Sequence, residues 1–244
     1  MNIKTTVSYD GTSYCGWQTQ PNGVTVQETI ENAIFSAFGQ KVKIIGSGRT
    51  DSGVHASGQV ATFSLNSSIP PEKVFKAVNA HLPNDIRLLD SQAVEEDFSA
   101  LKSAKKKTYS YSFYISQTEL PLKGRYAVNL ERLPDISLMR ECACLFVGEH
   151  DFKCFNASGG GAKTTVRTVY SVDIKNTEDS LVVLVTGNGF LYNMVRTMVG
   201  TILAVGQGEK DLAQVKTMLK TGDRNLCGRT LPAKGLCLEK VIYD

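Results

Sequence analysis

No part of this 244-residue sequence is apolar for long enough to cross a bilayer. The longest apolar stretch, Phe190 to Val205, is interrupted by Asn193 and Arg196 and stops short of the ~20 residues that a span requires, so it reads as a core helix. Met1 to Val7 offers neither an apolar export region nor a small-residue cleavage site, and the expected location is the cytoplasm. The six cysteines, Cys15, Cys142, Cys144, Cys154, Cys227 and Cys237, form no CxxC pair, and none lies near His55, His81 or His150 at a zinc spacing. They read as free, mostly packed thiols. A P-loop sequence is absent. A net charge of +3 is too small for a protein that coats nucleic acid as histones do, and it leaves room for a local basic face. What is present is an ordinary folding composition, 42% hydrophobic and 21% charged, in a chain long enough for one large domain or two modest ones.

Ile3, Thr5, Val7 and Tyr9 alternate with their neighbours as a strand should, and Asp10-Gly11 ends the run. Thr25 and Glu28 form a capping-box pattern ahead of the helical stripe Val26, Ile30, Ala33, Ile34, Ala37 and Phe38, closed by Gly39. Short strands are expected at Val42 to Ile45 and Gln59 to Leu65, then a helix opened by Pro70-Pro71 and a strand near Arg87 to Val94. A second series follows: a strand with Tyr109, Tyr111, Phe113 and Ile115 on one face, a helix carrying Leu138, Met139, Cys142, Leu145 and Phe146, and strands at Val166 to Ile174 and Leu181 to Val185. A helix from Phe190 to Val205, another from Asp211 to Leu219 and a strand from Leu236 to Tyr243 complete it. Both series have the order β-α-β-β-α-β, the second with one extra helix. The expected fold class is α+β, two similar lobes of mostly antiparallel sheet with a central cleft, residues 1–104 carrying the glycine-rich loop and residues 105–244 forming the second lobe.

Lys102, Lys105, Lys106 and Lys107 crowd that boundary, with no acidic residue between Asp97 and Glu119. Composition alone allows a solvated linker. The aromatic row that follows allows a surface that stacks bases beside a phosphate-binding run, although such a row is more often core.

Gly46 to Gly58 places four glycines in thirteen residues between two expected strands. As a phosphate cradle it fails, because Asp51 stands where G-x-G-x-x-G needs its last glycine, and a strand follows instead of the helix whose N-terminus binds the anion. The alternatives are a turn-forming aspartate or a loop that presents Arg49, Asp51 and His55 to a ligand. Arg49 and Asp51 are two apart and share a face in extended chain, so the arginine is one candidate to keep the carboxylate ionised. Arg196, off the apolar stripe of its helix with Tyr192 and Asn193 before it, is another.

Gly48-Arg49-Thr50-Asp51-Ser52-Gly53-Val54-His55-Ala56 closely resembles the active-site motif of the tRNA pseudouridine synthase A family. The likeness extends through Tyr9-Asp10-Gly11-Thr12, Gly16-Trp17-Gln18-x-Gln20, Thr25-Val26-Gln27, Lys107-Thr108-Tyr109-x-Tyr111, His150-Asp151-Phe152, Phe190 to Arg196 and Pro232-Ala233-x-Gly235-Leu236. The resemblance implies the pseudouridine synthase fold and a homodimer that isomerises uridine to pseudouridine at positions 38, 39 and 40 in the anticodon arm of tRNA, without cofactor or metal. It makes Asp51 the catalytic carboxylate, Tyr109 the active-site aromatic, Arg196 the ion-pair partner of the aspartate, Arg49 a residue that helps displace the base and Leu236 part of the pocket wall. His55 belongs to the same motif and is counted with the substrate-binding residues, and Lys102, Lys105, Lys106 and Lys107 with the RNA backbone. Leu101 and Leu231 depart from the family, which commonly has arginine and alanine there; loss of that arginine removes a phosphate contact.

Breaking a glycosidic bond, turning the uracil and joining its C5 to the sugar calls for a carboxylate that attacks covalently or removes a proton. Two other classes compete: a non-catalytic RNA-binding protein, and a nucleotide-dependent enzyme that uses the glycine loop.

Overall fold

The computed structural model describes residues 1–156 and 162–243. The chain divides into two units, one made of Met1–Lys105 with the closing strand from Cys237, the other of Lys106–Leu236.

The first unit is built on β1 (Asn2–Tyr9), which buries Ile3, Thr5, Val7 and Tyr9, the alternation read in the sequence. Along one edge it pairs antiparallel with β3 (His55–Ser64), from Asn2↔Ser64 to Val7↔Gln59, and an irregularity then brings Tyr9 opposite Ala56. Of the expected Val42–Ile45 strand only Ile45 is a strand residue, in the two-residue β2 (Ile45–Gly46) paired with Thr62 and Ala61 of β3. Along the other edge, the strand expected at Arg87–Val94 is two: β4 (Ile86–Leu88) pairs with Val7–Tyr9 and β5 (Gln92–Val94) with Asn2–Lys4. Asp90 lies at the break. Its carboxylate accepts from Thr6 N at 2.7 Å and Thr6 Oγ1 at 2.8 Å, bonds to a side chain that replace the ladder there.

Helix α1 (Val26–Phe38) starts where Thr25 Oγ1 accepts from Glu28 N and ends at Gly39, whose φ of 66° is the left-handed stop that glycine takes without strain. Its apolar stripe of Val26, Ile30, Ala33 and Ile34 is withdrawn from water, and each of the larger side chains stabilises the unit by about 1.5–3 kcal/mol. A 3-10 turn at Pro71–Lys73 leads into α2 (Val74–Asn79), which packs on α1 and buries Val74 and Val78. The final strand, β11 (Leu236–Ile242), was expected with the second lobe from element order. From Cys237 it belongs to the first unit, pairing parallel to β3 at Cys237↔His55 and Leu238↔Ala56, and Ile242 O accepts from Lys105 N at 2.8 Å.

The second unit centres on β6 (Lys106–Ile115), β9 (Val166–Asn176) and β10 (Ser180–Gly187), with β10 antiparallel to both others. β6 starts three residues before the first residue of the aromatic row, so Lys106 and Lys107 are strand residues and not linker. Tyr109, Tyr111 and Phe113 are all buried, and on the opposite face so are Thr108, Ser110 and Tyr114: the aromatic row is core. A four-residue helix α3 (Pro121–Gly124), a short strand β7 (Val128–Leu130) parallel to the end of β6, and β8 (Gly148–Asp151) at the edge of β9 have no strong periodicity and were not expected. Between them α4 (Ile136–Cys144) is capped by Asp135 and packs Met139 and Cys142 inward. α6 (Leu212–Thr221) has a full capping box from Asp211 and Gln214 and stops at Gly222 with φ 70°.

Helix α5 (Met194–Gly206) begins four residues later than its apolar run, because Asn193 holds φ 61°, a left-handed conformation that interrupts the helix before it starts. Every one of its residues except Arg196 is buried, as expected for a helix that is apolar all round. All six cysteines are free, Cys142 and Cys154 buried and Cys144 exposed, and no helix among the described residues is long and apolar enough to cross a membrane.

Replacing Thr25 by Ala removes the acceptor at the start of α1 and should lower the unfolding free energy by about 1 kcal/mol. Urea titration should show this as a lower midpoint at unchanged m-value.

Candidate active site

In the first unit the segment 46–58 is fixed mainly through its backbone. Asp51 O accepts from Val54 N at 3.1 Å, closing a turn whose third residue, Gly53, has φ 77°, the conformation that calls for glycine at that place. Around this turn wraps residues 9–17. Trp17 N donates to Thr50 O at 3.1 Å, Gly53 N and Ser52 Oγ both donate to Tyr14 O, and Tyr9 OH and Thr50 Oγ1 share a hydrogen bond of 2.7 Å. The approach is too close for side chains. A Cβ on Gly11 would stand 2.0 Å from Val54 O, and one on Gly16 2.5 Å from Thr50 O. On the far side, Gln59 ties the segment together: its Oε1 accepts from Ser47 Oγ and from Val60 N, and its Nε2 donates to Gly48 O at 3.0 Å.

This frame leaves Asp51 partly exposed between a buried Thr50 and a buried Val54. Arg49 is exposed, and its guanidinium makes no ion pair or hydrogen bond among the described residues, so it is not the cation that holds Asp51, one of the two possibilities raised by their spacing. It remains free to meet a ligand. His55 is 6% exposed and opens β3; the segment 55–58, read as loop, is strand. Its Nδ1 accepts from Gly11 N at 3.1 Å and lies 3.2 Å from Asp10 Oδ1. One ring nitrogen serves one of these partners at a time: unprotonated, Nδ1 accepts from Gly11 N, and protonated, it donates to the Asp10 carboxylate. His55 thereby anchors the Asp10–Gly11 turn against the start of β3.

In the second unit Arg196 occupies the first turn of α5, with Nε donating to Leu231 O and Nη1 to Asn193 Oδ1, both at 2.7 Å. Asn193 thus does two things: its backbone takes the left-handed conformation that asparagine tolerates better than most residues, and its side chain aims the guanidinium. The segment 228–232 runs along α5. Gly228 N donates to Thr201 Oγ1 at 2.9 Å, Thr230 and Thr197 hydroxyls bond at 2.8 Å, and Pro232 O accepts from Tyr111 OH at 2.7 Å. Gly200 makes this possible, since a Cβ there would lie 2.0 Å from Arg229 O. Leu231, a departure from the family pattern, is fully buried with its side chain over Gly200. Sequence gives little notice of Thr197, Thr230 and the Leu231 carbonyl; only the i, i+4 spacing of Thr197 and Thr201 in an otherwise apolar helix signals a polar partner.

Tyr109 is 8% exposed, opposite Val185 on β10, with its ring edge-on to Phe190 at 5.4 Å between centroids. Leu236 is buried at the head of β11. Burial drives the Tyr111 phenol well above its usual range, an effect that the nearby Arg196 and Arg229 oppose. The four lysines are not alike. Lys102, Lys105 and Lys106 are exposed, Lys106 with its ammonium 4.9 Å from the centre of the Tyr170 ring. Lys107 is only partly exposed, and burial, followed by repulsion from Arg167, lowers its pKa. Among the described residues no group of three or more His, Cys, Asp or Glu side chains is placed to hold a metal ion.

The model of a family described as tRNA pseudouridine synthase matches residues 6–106 and 142–244. Among curated relatives, tRNA pseudouridine synthase A of Clostridium acetobutylicum is 45% identical over 242 residues, and tRNA pseudouridine synthase A 2 of Clostridium perfringens 44%; in each case 99% of both chains is covered. The chain belongs to the tRNA pseudouridine synthase family. It is an enzyme, an isomerase, and its mixed α+β architecture with mostly antiparallel pairing is that of a pseudouridine synthase. A solved chain from the "Crystal Structure of a Cbf5-Nop10-Gar1 Complex" aligns with 82% of this synthase and 45% of its own length, at 16% identity and a TM-score of 0.37.

Within the synthase, Tyr111 joins β6 to the segment that carries the Leu231 carbonyl. Tyr111→Phe leaves the Pro232 carbonyl without its donor and should destabilise the protein by about 1–3 kcal/mol, read as a fall in the urea midpoint.

Proposed function

We propose that this synthase isomerises uridine to pseudouridine at positions 38, 39 and 40 of the tRNA anticodon arm, with Asp51 as its catalytic carboxylate. The observation that carries the reading is the match of Gly48 to Ala56 to the family's active-site motif, within a chain that shares 45% identity with a tRNA pseudouridine synthase A along its length. The rigid turn around Asp51 supports it. A carboxylate on a backbone-locked turn needs no rearrangement when charge develops beside it.

The reaction is an internal exchange. The bond from N1 to C1′ breaks, the uracil turns, C5 bonds to C1′, the proton on C5 leaves and N1 takes one up, so that substrate and product have the same atoms. Asp51, ionised, either attacks covalently or takes a proton, and both roles demand a group with a free oxygen lone pair. Arg196 supplies the positive charge that favours the ionised form, and its two bonds to Leu231 and Asn193 fix its direction. The target uridine leaves its stack to be reached, at a cost of a few kcal/mol, which Arg49 reduces by filling the gap and Tyr109 by meeting the extruded base. Leu236 adds apolar wall. The acting form is a homodimer in the cytoplasm, as the resemblance implies.

Tritium release from tRNA transcripts carrying 5-tritiated uridine tests the chemistry, and mapping of pseudouridine in the product tests the positions. RNA binding without release would favour a non-catalytic RNA-binding protein. Asp51→Asn should keep tRNA affinity within a few-fold and abolish turnover, since an amide of the same shape is neither nucleophile nor base. Arg196→Leu should be nearly as inactive. Turnover in the asparagine variant at more than a trace of the wild-type rate would remove Asp51 from its role.

The exposed lysines supply the electrostatic hold in this reading. Replacing Lys102, Lys105 and Lys106 together by glutamine should raise KM and reduce the slope of log affinity against log salt by up to about 0.7–0.9 for each phosphate that is no longer neutralised. An unchanged slope in filter binding would assign the run to solvent alone.

A further inference from the structure

We propose that a polar cavity on the second unit binds one ribose-phosphate unit of the tRNA backbone through Arg132, Arg229 and Glu131. The inference deepens the reading of the chain as a tRNA-modifying enzyme and rests on it. The cavity has a volume of about 450 Å³, within the ~300–1,000 Å³ of small-molecule sites, and is lined by Gln117, Asn129, Glu131, Arg132, Gln207 and Arg229 around Leu130. Arg132 comes from the loop after β7, Arg229 from the segment bonded along α5, and Gln207 from the end of that helix.

Two features point to a ligand. First, neither guanidinium makes an ion pair or a side-chain hydrogen bond among the described residues, although both line one small cavity. A pair of arginine forks suits the oxygens of a phosphate better than any single point charge does. Second, four polar side chains, Gln117, Asn129, Glu131 and Gln207, line the same cavity beside the two arginines. The one carboxylate decides between kinds of anion. Glu131 opposes a bare inorganic phosphate but accepts well from a ribose hydroxyl, as acidic residues do in dinucleotide sites. Gln117 stands beside it with its amide oriented by Nε2 donating to Glu131 O at 2.8 Å, which leaves Oε1 as a further acceptor. Cations for the phosphate next to acceptors for hydroxyls describe a ribonucleotide, and the 2′-hydroxyl is the group that separates RNA from DNA.

The ribonucleotide comes from the RNA chain or from a free nucleotide, and one variant separates them. Arg132→Gln with Arg229→Gln should weaken binding of a full-length tRNA transcript about tenfold or more near 0.1 M salt, from the loss of charge-assisted hydrogen bonds. The salt slope should fall by about 0.7–0.9, the share of the one phosphate that the cavity holds, with the catalytic effect falling on KM. Unaltered tRNA affinity and slope in a variant with the wild-type unfolding midpoint overturn the proposal. So does loss of binding to uridine 5′-monophosphate alone with tRNA affinity intact, because the cavity then serves a free nucleotide. If the double replacement lowers the midpoint, Arg132→Gln alone makes the same test, with part of that slope change. Wild-type tritium release is measured alongside: its absence overturns the function and this site with it, whereas normal wild-type turnover with normal binding by the variant removes only the cavity.

Discussion

The structure around Asp51 depends on one constraint, the absence of side chains where two stretches of backbone meet. Residues 9–17 and 50–55 are joined by main-chain bonds from Trp17 to Thr50 and from Gly53 to Tyr14, and by the His55 ring on Gly11. These form only because Gly11 and Gly16 let carbonyls approach to where a Cβ would stand. A turn held this way has little freedom to yield, so the carboxylate is placed by the backbone that carries it. The hydroxyl pair of Tyr9 and Thr50 adds a buried link from β1 to the residue next to the aspartate, making the first strand part of the same support.

Arg196 is held by a different device with the same logic. It is the one residue of α5 not withdrawn from water, and two of its partners are a main-chain carbonyl and an amide oxygen, neither of which titrates. The carbonyl in turn depends on the threonine bonds along the helix and on Gly200 and Gly228, which allow a chain segment to lie directly on α5. Both supports therefore use glycine to bring backbone near backbone and leave charged groups at the edge.

Strong periodicity makes α1, α6, β1, β6 and β10 legible in sequence, and the glycine density of 46–58 marks the candidate catalytic segment. What escapes is decided by single residues. Asn193 trims four residues from the apolar run before α5 through one left-handed torsion, which no hydropathy pattern encodes. Asp90 divides one strand into two by bonding Thr6. The aromatic row of β6 has two readings because period-2 alternation does not say whether the other face is also covered; Thr108, Ser110 and Tyr114 are buried there, and that places it in the core. Arg49 and Asp51 share a face by spacing yet do not pair, since the turn beginning at Asp51 redirects the chain. The polar cavity of Arg132 and Arg229 joins residues nearly a hundred positions apart, a proximity that only the lie of 228–232 along α5 creates.

The parallel pairing of β11 with β3 also sets a timetable. His55 and Ala56 cannot acquire their partners until Cys237 and Leu238 have left the ribosome, and at about 5–20 residues per second that delay is roughly 10–40 s. For that interval the edge of β3 that follows directly on the Asp51 turn is an open strand edge, a template for another chain. The part of the sequence most fully specified in the finished enzyme is therefore among the last to be protected during its synthesis, and this is the stage at which a chaperone has most to do.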